Sequence, residues 1–162
     1  PRPTLQQASA ASDVYKRQLL HDAGNPINAA IDTGQVEGAY IQGMGWLTME
    51  ELYWNEQGKL MTHAPSTYKI PGVSDCPAVF NTRLFPNSNH KDTILRSKAV
   101  GEPPLLLSFS VFFAIRDAIA SVAEYKINPN INAPATSEAI LDAIDGLREH
   151  DAVRGQGCEH EH

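Results

Sequence analysis

Cysteine is scarce, with Cys76 and Cys158 alone among 162 residues. Two thiols cannot ligate an iron–sulfur cluster, which takes four, and two that stand so far apart suggest a reducing compartment. Positive charge is also short: 13 Lys and Arg face 19 Asp and Glu, for a net charge of −6. That balance lacks the electrostatic footprint of a nucleic-acid or anionic-membrane binder. No apolar run is expected to reach membrane-spanning length, because Arg116 and Asp117 interrupt the longest one. No secretory leader pattern is visible. The chain has no repeat or heptad, no Gly-rich phosphate loop with its lysine, no GxGxxG, no CxxC and no HExxH. It also lacks the serine elbow of the hydrolases. Glu37, Glu50 and Glu102 could supply carboxylates for glycoside hydrolysis, but no spacing brings two of them together.

What is present suits one domain with a real core, at 162 residues and 42% hydrophobic. Residues 1–18 carry no periodic apolar face and read as foreign to the domain or disordered. From Leu19 the character changes. Asp22, Gly24, Asn25 and Pro26 cluster as turn chemistry. Val36, Tyr40, Met44, Leu47 and Leu52 then recur near helical spacing and predict a helix over residues 35–53. Gly38, Gly43 and Gly45 fall inside it, although interior glycine costs about 1 kcal/mol against alanine. Three of them imply that an element or a ligand packs close to the helix backbone.

A strand, a turn and a returning strand are expected over residues 53–62, and a further strand over residues 67–70. Residues 79–85 alternate with period two, residues 86–92 are a polar loop, and residues 93–95 read as extended. The segment 105–122 is apolar on most faces and predicts a helix buried nearly all round. That is hard to satisfy in a small domain and hints at packing against more protein. Thr136 is a candidate N-cap for a last helix through Leu147. Residues 149–162 read as a loose polar tail, in which His150, Cys158, His160 and His162 fit a solvated tail better than a metal site.

One carboxylate stands out. Glu102 follows Gly101 and precedes Pro103 and Pro104, at a junction between a strand-like run and the apolar helix. Proline suits a first helical turn, and a helix start favours an ionised acid. The residues alone fit either a general base or an acid that only stabilises a helix start. They give an α+β domain and no more.

Five stretches taken together resemble the molybdenum hydroxylases, and within that family the molybdopterin-binding subunit of the xanthine dehydrogenase branch. They are residues 22–28 (DAGNPIN), 34–45 (GQVEGAYIQGMG), 65–71 (PSTYKIP), 97–104 (SKAVGEPP) and 133–136 (APAT). They occur in the family's order across residues 19–147. The resemblance implies the C-terminal part of a molybdopterin-binding domain over residues 19–148, with helices packed on a small mixed or antiparallel sheet.

The resemblance also implies molybdenum-dependent hydroxylation of hypoxanthine and xanthine to urate, with Glu102 as general base. Gln35 would lie beside the cofactor, and Val100 and Gly101 would line the metal centre through their backbone. The metal takes no side chain as ligand. The implied cofactor is molybdenum–molybdopterin, with 2Fe-2S clusters and FAD bound outside this chain. The implied partners are a purine substrate, the rest of the molybdopterin subunit and the FAD/iron–sulfur subunit, in the cytoplasm. Hydroxylation of aldehydes or other N-heterocycles is the alternative within the family. A chain that is inactive in isolation, or only a structural fragment, is the alternative outside it. One departure bears on packing: Ser108 and Phe109 stand where relatives tend to have a small, glycine-containing pair.

Overall fold

The computed structural model describes residues 16–86 and 88–157, with side chains described as far as residue 150. Its elements are β1 (Lys16–His21), α1 (Ala29–Thr48), β2 (Val79–Leu84), α2 (Phe109–Val122) and α3 (Ser137–Gly157), with short 3-10 segments at Val73–Asp75, Ile94–Arg96 and Pro103–Ser108. The architecture is α+β, as expected.

The sheet is not the mixed or antiparallel one anticipated. β1 and β2 pair in parallel, with Lys16 opposite Val79 and His21 opposite Leu84. A parallel pair needs a long crossover, and the connection that carries α1 provides it. β1 is also why the pairing escaped the sequence. Lys16, Arg17 and Gln18 belong to the strand, so a boundary at Leu19 cuts it in half. Residues 1–15 lie outside the described residues.

α1 begins earlier than its apolar periodicity suggests. The Asn28 side chain accepts hydrogen bonds from the N–H groups of Ala30 (3.1 Å) and Ile31 (3.3 Å), which fixes the start. Asp32 then sits in the first turn. The helix ends at Thr48, with Met49 N–H bonded to the Gly45 carbonyl at 2.9 Å. Val36, Tyr40 and Met44 form its inner face and pack with Leu19. Phe80 and Leu84 of β2 complete this core, and the Tyr40 and Phe80 rings lie 5.4 Å apart. In β2 the residues that turn inward are Phe80, Thr82 and Leu84, while Val79, Asn81 and Arg83 face out.

The Pro103–Ser108 helix crosses α1 at Gly43. A methyl group on Gly43 would lie 2.8 Å from the Leu105 carbonyl oxygen and 2.9 Å from Ser108 Cβ. The glycine therefore sets how closely the two backbones approach. Ser108 is fully buried there, and its hydroxyl donates to the Leu105 carbonyl at 2.6 Å. The hydroxyl that departs from the family pattern is thus satisfied locally and fits beneath Gly43. Gly45 plays a similar part against Pro71, whose Cδ would lie 2.5 Å from an added methyl. Gly34 and Gly38 would meet nothing within 4 Å.

Other expectations move. Trp54 and Leu60 form a single antiparallel bridge rather than a full hairpin. Residues 67–70 form no strand: a turn over residues 64–68 bonds the Thr67 and Tyr68 N–H groups to the Ala64 carbonyl, and residues 69–70 are irregular. Residues 94–96 are a 3-10 turn rather than a strand. Thr136 caps α3 through a 3.2 Å bond from Ala139 N–H, and α3 runs to Gly157, beyond Leu147 and into the expected tail. Residues 158–162, with Cys158, His160 and His162, lie outside the described residues.

α2 is the largest correction. Only Ile119 is fully buried, where it joins Ala123, Ala143 and Leu147 in a second core. Phe109 and Phe113 are 40% and 56% exposed. Among the described residues, nothing covers that side. By length and composition, the continuous stretch Pro103–Val122 is apolar enough to cross a membrane, although only 11% of it is buried. Arg116 and Asp117 do not shorten it as expected.

The two classes of glycine make opposite predictions. Gly43→Ala should lower stability by about 1–3 kcal/mol through overpacking. Gly38→Ala should raise it by up to about 1 kcal/mol through helix propensity. Thermal unfolding of both variants of this chain checks the signs.

Candidate active site

Glu102 is exposed and stands at the N-cap of the Pro103–Ser108 helix, yet its side chain caps no backbone N–H. The expected strand-to-helix junction is therefore a tight loop leading into a 3-10 helix. Pro103 at its first position lacks a donor, and Pro104 is buried. The Leu105 N–H donates to the Glu102 carbonyl at 3.1 Å. This fixes the Glu102 backbone and leaves the carboxylate uncommitted.

The segment before Glu102 is held against the end of β1. Lys98 N–H donates to the Ala23 carbonyl at 2.9 Å, and its ammonium pairs with the Asp22 carboxylate. His21 Nε2 lies 3.1 Å from the Ala99 carbonyl. Asn25 N–H donates to the Arg96 carbonyl at 3.0 Å. To present that carbonyl, Leu95 and Arg96 adopt φ of 52° and 57°, a left-handed conformation that side chains rarely take. Gly24 is essential opposite them. Its φ is +63°, and an added methyl would lie 2.5 Å from the Arg96 oxygen. The buried Asn89 braces the same turn, with Nδ2 donating to Thr93 Oγ1 at 3.0 Å. Thr93 Oγ1 in turn donates to the Ser97 carbonyl at 2.8 Å.

The four expected site residues fall in two places. Val100 is half-buried, and Gly101 and Glu102 are exposed; together they form one loop. Gln35 is exposed on α1, about 12 Å along the axis from Gly43 at the usual helical rise. Among the described residues, Gln35 and Glu102 make no side-chain hydrogen bond, to each other or to anything else. Gly101 opens on empty space, as do Gly34 and Gly38. An uncommitted amide, an uncommitted carboxylate and open backbone are groups a polar cofactor can take up, and on this test the residues fit a molybdopterin. Among the described residues no group of three or more His, Cys, Asp or Glu side chains could hold a metal ion.

The remaining stretches singled out in the sequence all brace α1. Tyr68 OH donates to Glu50 Oε2 at 2.5 Å, and that carboxylate holds the phenol above its ordinary value of 10.0. Pro71 lies over Gly45. Ala135 N–H donates to the Leu47 carbonyl at 2.7 Å.

A family model described as a molybdopterin cofactor-binding domain matches residues 7–77. The xanthine dehydrogenase/oxidase of Rattus norvegicus is 47% identical over 133 residues, covering 79% of this chain and 10% of that protein. The xanthine dehydrogenase of Blastobotrys adeninivorans is 46% identical over 143 residues, covering 83% of this chain and 10% of its own length. The crystal structure of quinoline 2-oxidoreductase from Pseudomonas putida 86 superposes with a TM-score of 0.69 at 26% identity, over 81% of this chain and 16% of that one. The chain belongs to the molybdenum hydroxylase family. It spans about a tenth of the length of the curated relatives it matches. The Cu,Mo-CO dehydrogenase, at 25% identity and a TM-score of 0.66, shares the fold over 83% of this chain.

The sequence did not reveal His21 and Asp22 as contacts of the loop that carries Glu102; it read Asp22 as turn chemistry and as the start of one family-like stretch. Asp22 does make that turn, accepting from Gly24 N–H at 2.9 Å. Its other partner lies 76 residues away, and no local pattern announces it.

The Lys98 ammonium, and after it the Gly24 N–H, hold the Asp22 carboxyl below its ordinary value of 3.8. The ionised acid thus favours the folded state. Its contribution is complete above about pH 3.8 and is lost as pH falls through the depressed value. Asp22→Asn should therefore flatten the acid limb of a stability–pH curve below pH 3.8 and leave its basic limb unchanged, as urea titrations at a series of pH values would show.

Proposed function

We propose that this chain carries the general base of a molybdenum hydroxylase of the xanthine dehydrogenase type, acting on hypoxanthine and xanthine in the cytoplasm. One observation carries the reading: Glu102 is an exposed carboxylate with no partner, on a loop whose backbone is anchored on both sides. A structural acid at this position would cap the helix, and Glu102 does not. The purine branch is favoured over other N-heterocycles by similarity, since rat xanthine dehydrogenase/oxidase shares 47% identity and quinoline 2-oxidoreductase 26%.

When bound, the molybdenum–pterin group supplies the redox chemistry of hydroxylation. The chain's own residues do the rest. Glu102 removes a proton from the oxygen nucleophile and then holds it. Closure of the site by the rest of the protein would exclude water from around the carboxylate and strengthen its contacts with the reacting groups. Gln35 offers an amide donor and acceptor to orient the cofactor. Gly101 leaves room for the reacting groups because no side chain projects there. The other walls of the site, the substrate contacts and the 2Fe-2S and FAD groups belong to protein outside this chain.

In the complete enzyme, Glu102→Gln should lower kcat by about 10²- to 10⁴-fold with molybdenum content unchanged, the usual worth of a positioned base. Gln35→Ala should cost less. Steady-state xanthine oxidation with parallel metal analysis checks both. Parental turnover by the Glu102→Gln enzyme would refute the base assignment.

A further inference from the structure

The contacts that hold residues 97–99 come from the end of β1 and the turn that follows it. We propose that Asp22, backed by His21, is a positioning residue for Glu102: its ion pair with Lys98 fixes where the loop that carries the base begins. This inference rests on the base reading of Glu102.

Both Asp22 oxygens are engaged. Oδ1 accepts from Gly24 N–H at 2.9 Å, and Oδ2 accepts from the Lys98 ammonium. The carboxylate cannot rotate without losing one of them. Lys98 is held twice, by its side chain on Asp22 and by its N–H on the Ala23 carbonyl. His21 extends the clamp by one residue. A carbonyl only accepts, so Nε2 carries the proton in the 3.1 Å contact with Ala99. The same bond exists in the imidazolium form, so this contact persists whether His21 is neutral or charged.

Beyond Ala99 the backbone of Val100 and Gly101 makes no hydrogen bond among the described residues, until the Glu102 carbonyl meets Leu105 N–H and Pro104 is buried. Glu102 thus hangs between two fixed points. The downstream point is packing, and the upstream one is a polar clamp built on Asp22. Because the Asp22 and Lys98 side chains are 36% and 37% exposed, their pair adds little to global stability. Position is different, since a small displacement of a reacting group costs rate steeply. The two effects can therefore be separated by experiment.

The test uses the complete, cofactor-loaded enzyme. Asp22→Asn keeps an acceptor for Gly24 and loses the charge pair. Its kcat should fall roughly 10- to 100-fold, with KM and molybdenum content unchanged and Tm at pH 7 only slightly lowered. Single-turnover reduction by xanthine is then compared across a cycle with Glu102→Asp, whose shortened arm already displaces the carboxylate. In that background Asp22→Asn should have a much smaller effect. An unchanged kcat in Asp22→Asn, or the same fold loss in both backgrounds, would overturn the inference. If Asp22→Asn alone loses molybdenum, Lys98→Gln is judged by the same criteria, and loss of the metal in both would make the pair a fold contact and overturn the inference. The Glu102→Gln enzyme is measured first. Parental turnover there defeats the base reading itself, and the positioning role with it, before Asp22 is touched.

Discussion

The structure depends on the close approach of the Pro103–Ser108 helix to α1 at Gly43. A side chain there would strike the Leu105 carbonyl and the buried Ser108. Because both are packed, neither can move away cheaply. α1 therefore carries two loads on neighbouring faces. Val36, Tyr40 and Met44 bury the sheet, and Gly43 admits the helix that begins with Glu102. The remaining stretches shared with the family close on the same helix: Asn28 caps it, Pro71 and Tyr68 brace its far end, and Ala135 bonds to Leu47. The family pattern is in this sense the set of contacts that fixes α1.

Around that frame Glu102 is placed by economy of contact. Glu102 makes no side-chain bond among the described residues, and its position derives from what lies on either side of it. Upstream are the polar clamp of His21 and Asp22 and the left-handed pair Leu95 and Arg96, held by the bonds from Asn25 N–H to the Arg96 carbonyl and from Arg96 N–H to the Thr93 carbonyl. Downstream are two prolines and a glycine contact. Strain held in place by surrounding bonds is common where a functional group must be aimed.

Much of this was legible in the residues. The glycines in the α1 pattern foretold a close approach, and Gly43 and Gly45 make one. The alternation in residues 79–85 foretold β2, and Thr136 capped α3 as read. Other features were hidden for physical reasons. The start of α1 depends on Asn28, a cap that apolar periodicity does not register. β1 pairs with a strand far along the chain, so its Lys16–Gln18 half looked like unpatterned sequence. The residues 105–122 read as a core helix because they are apolar, and composition does not say how much protein is present to cover them. Glu102 was visible as an unusual acid, but only the family resemblance gave it a role. Asp22 was visible as a turn residue, and its tie to Lys98 exists only in the folded chain.

The exposed faces of α1 and α2 and the free carboxylate are two sides of one arrangement. Gly34 and Gly38 face open space, and Phe109 and Phe113 are exposed next to the helix that follows Glu102. A structure of the complete, cofactor-loaded protein tests this directly. It should show protein or cofactor over Gly34 and Gly38. It should also show the Glu102 carboxylate turned to the molybdenum centre, within about 2.6–3.2 Å of the group it deprotonates. A Glu102 side chain directed to bulk solvent, with the glycine face of α1 uncovered, would contradict the account.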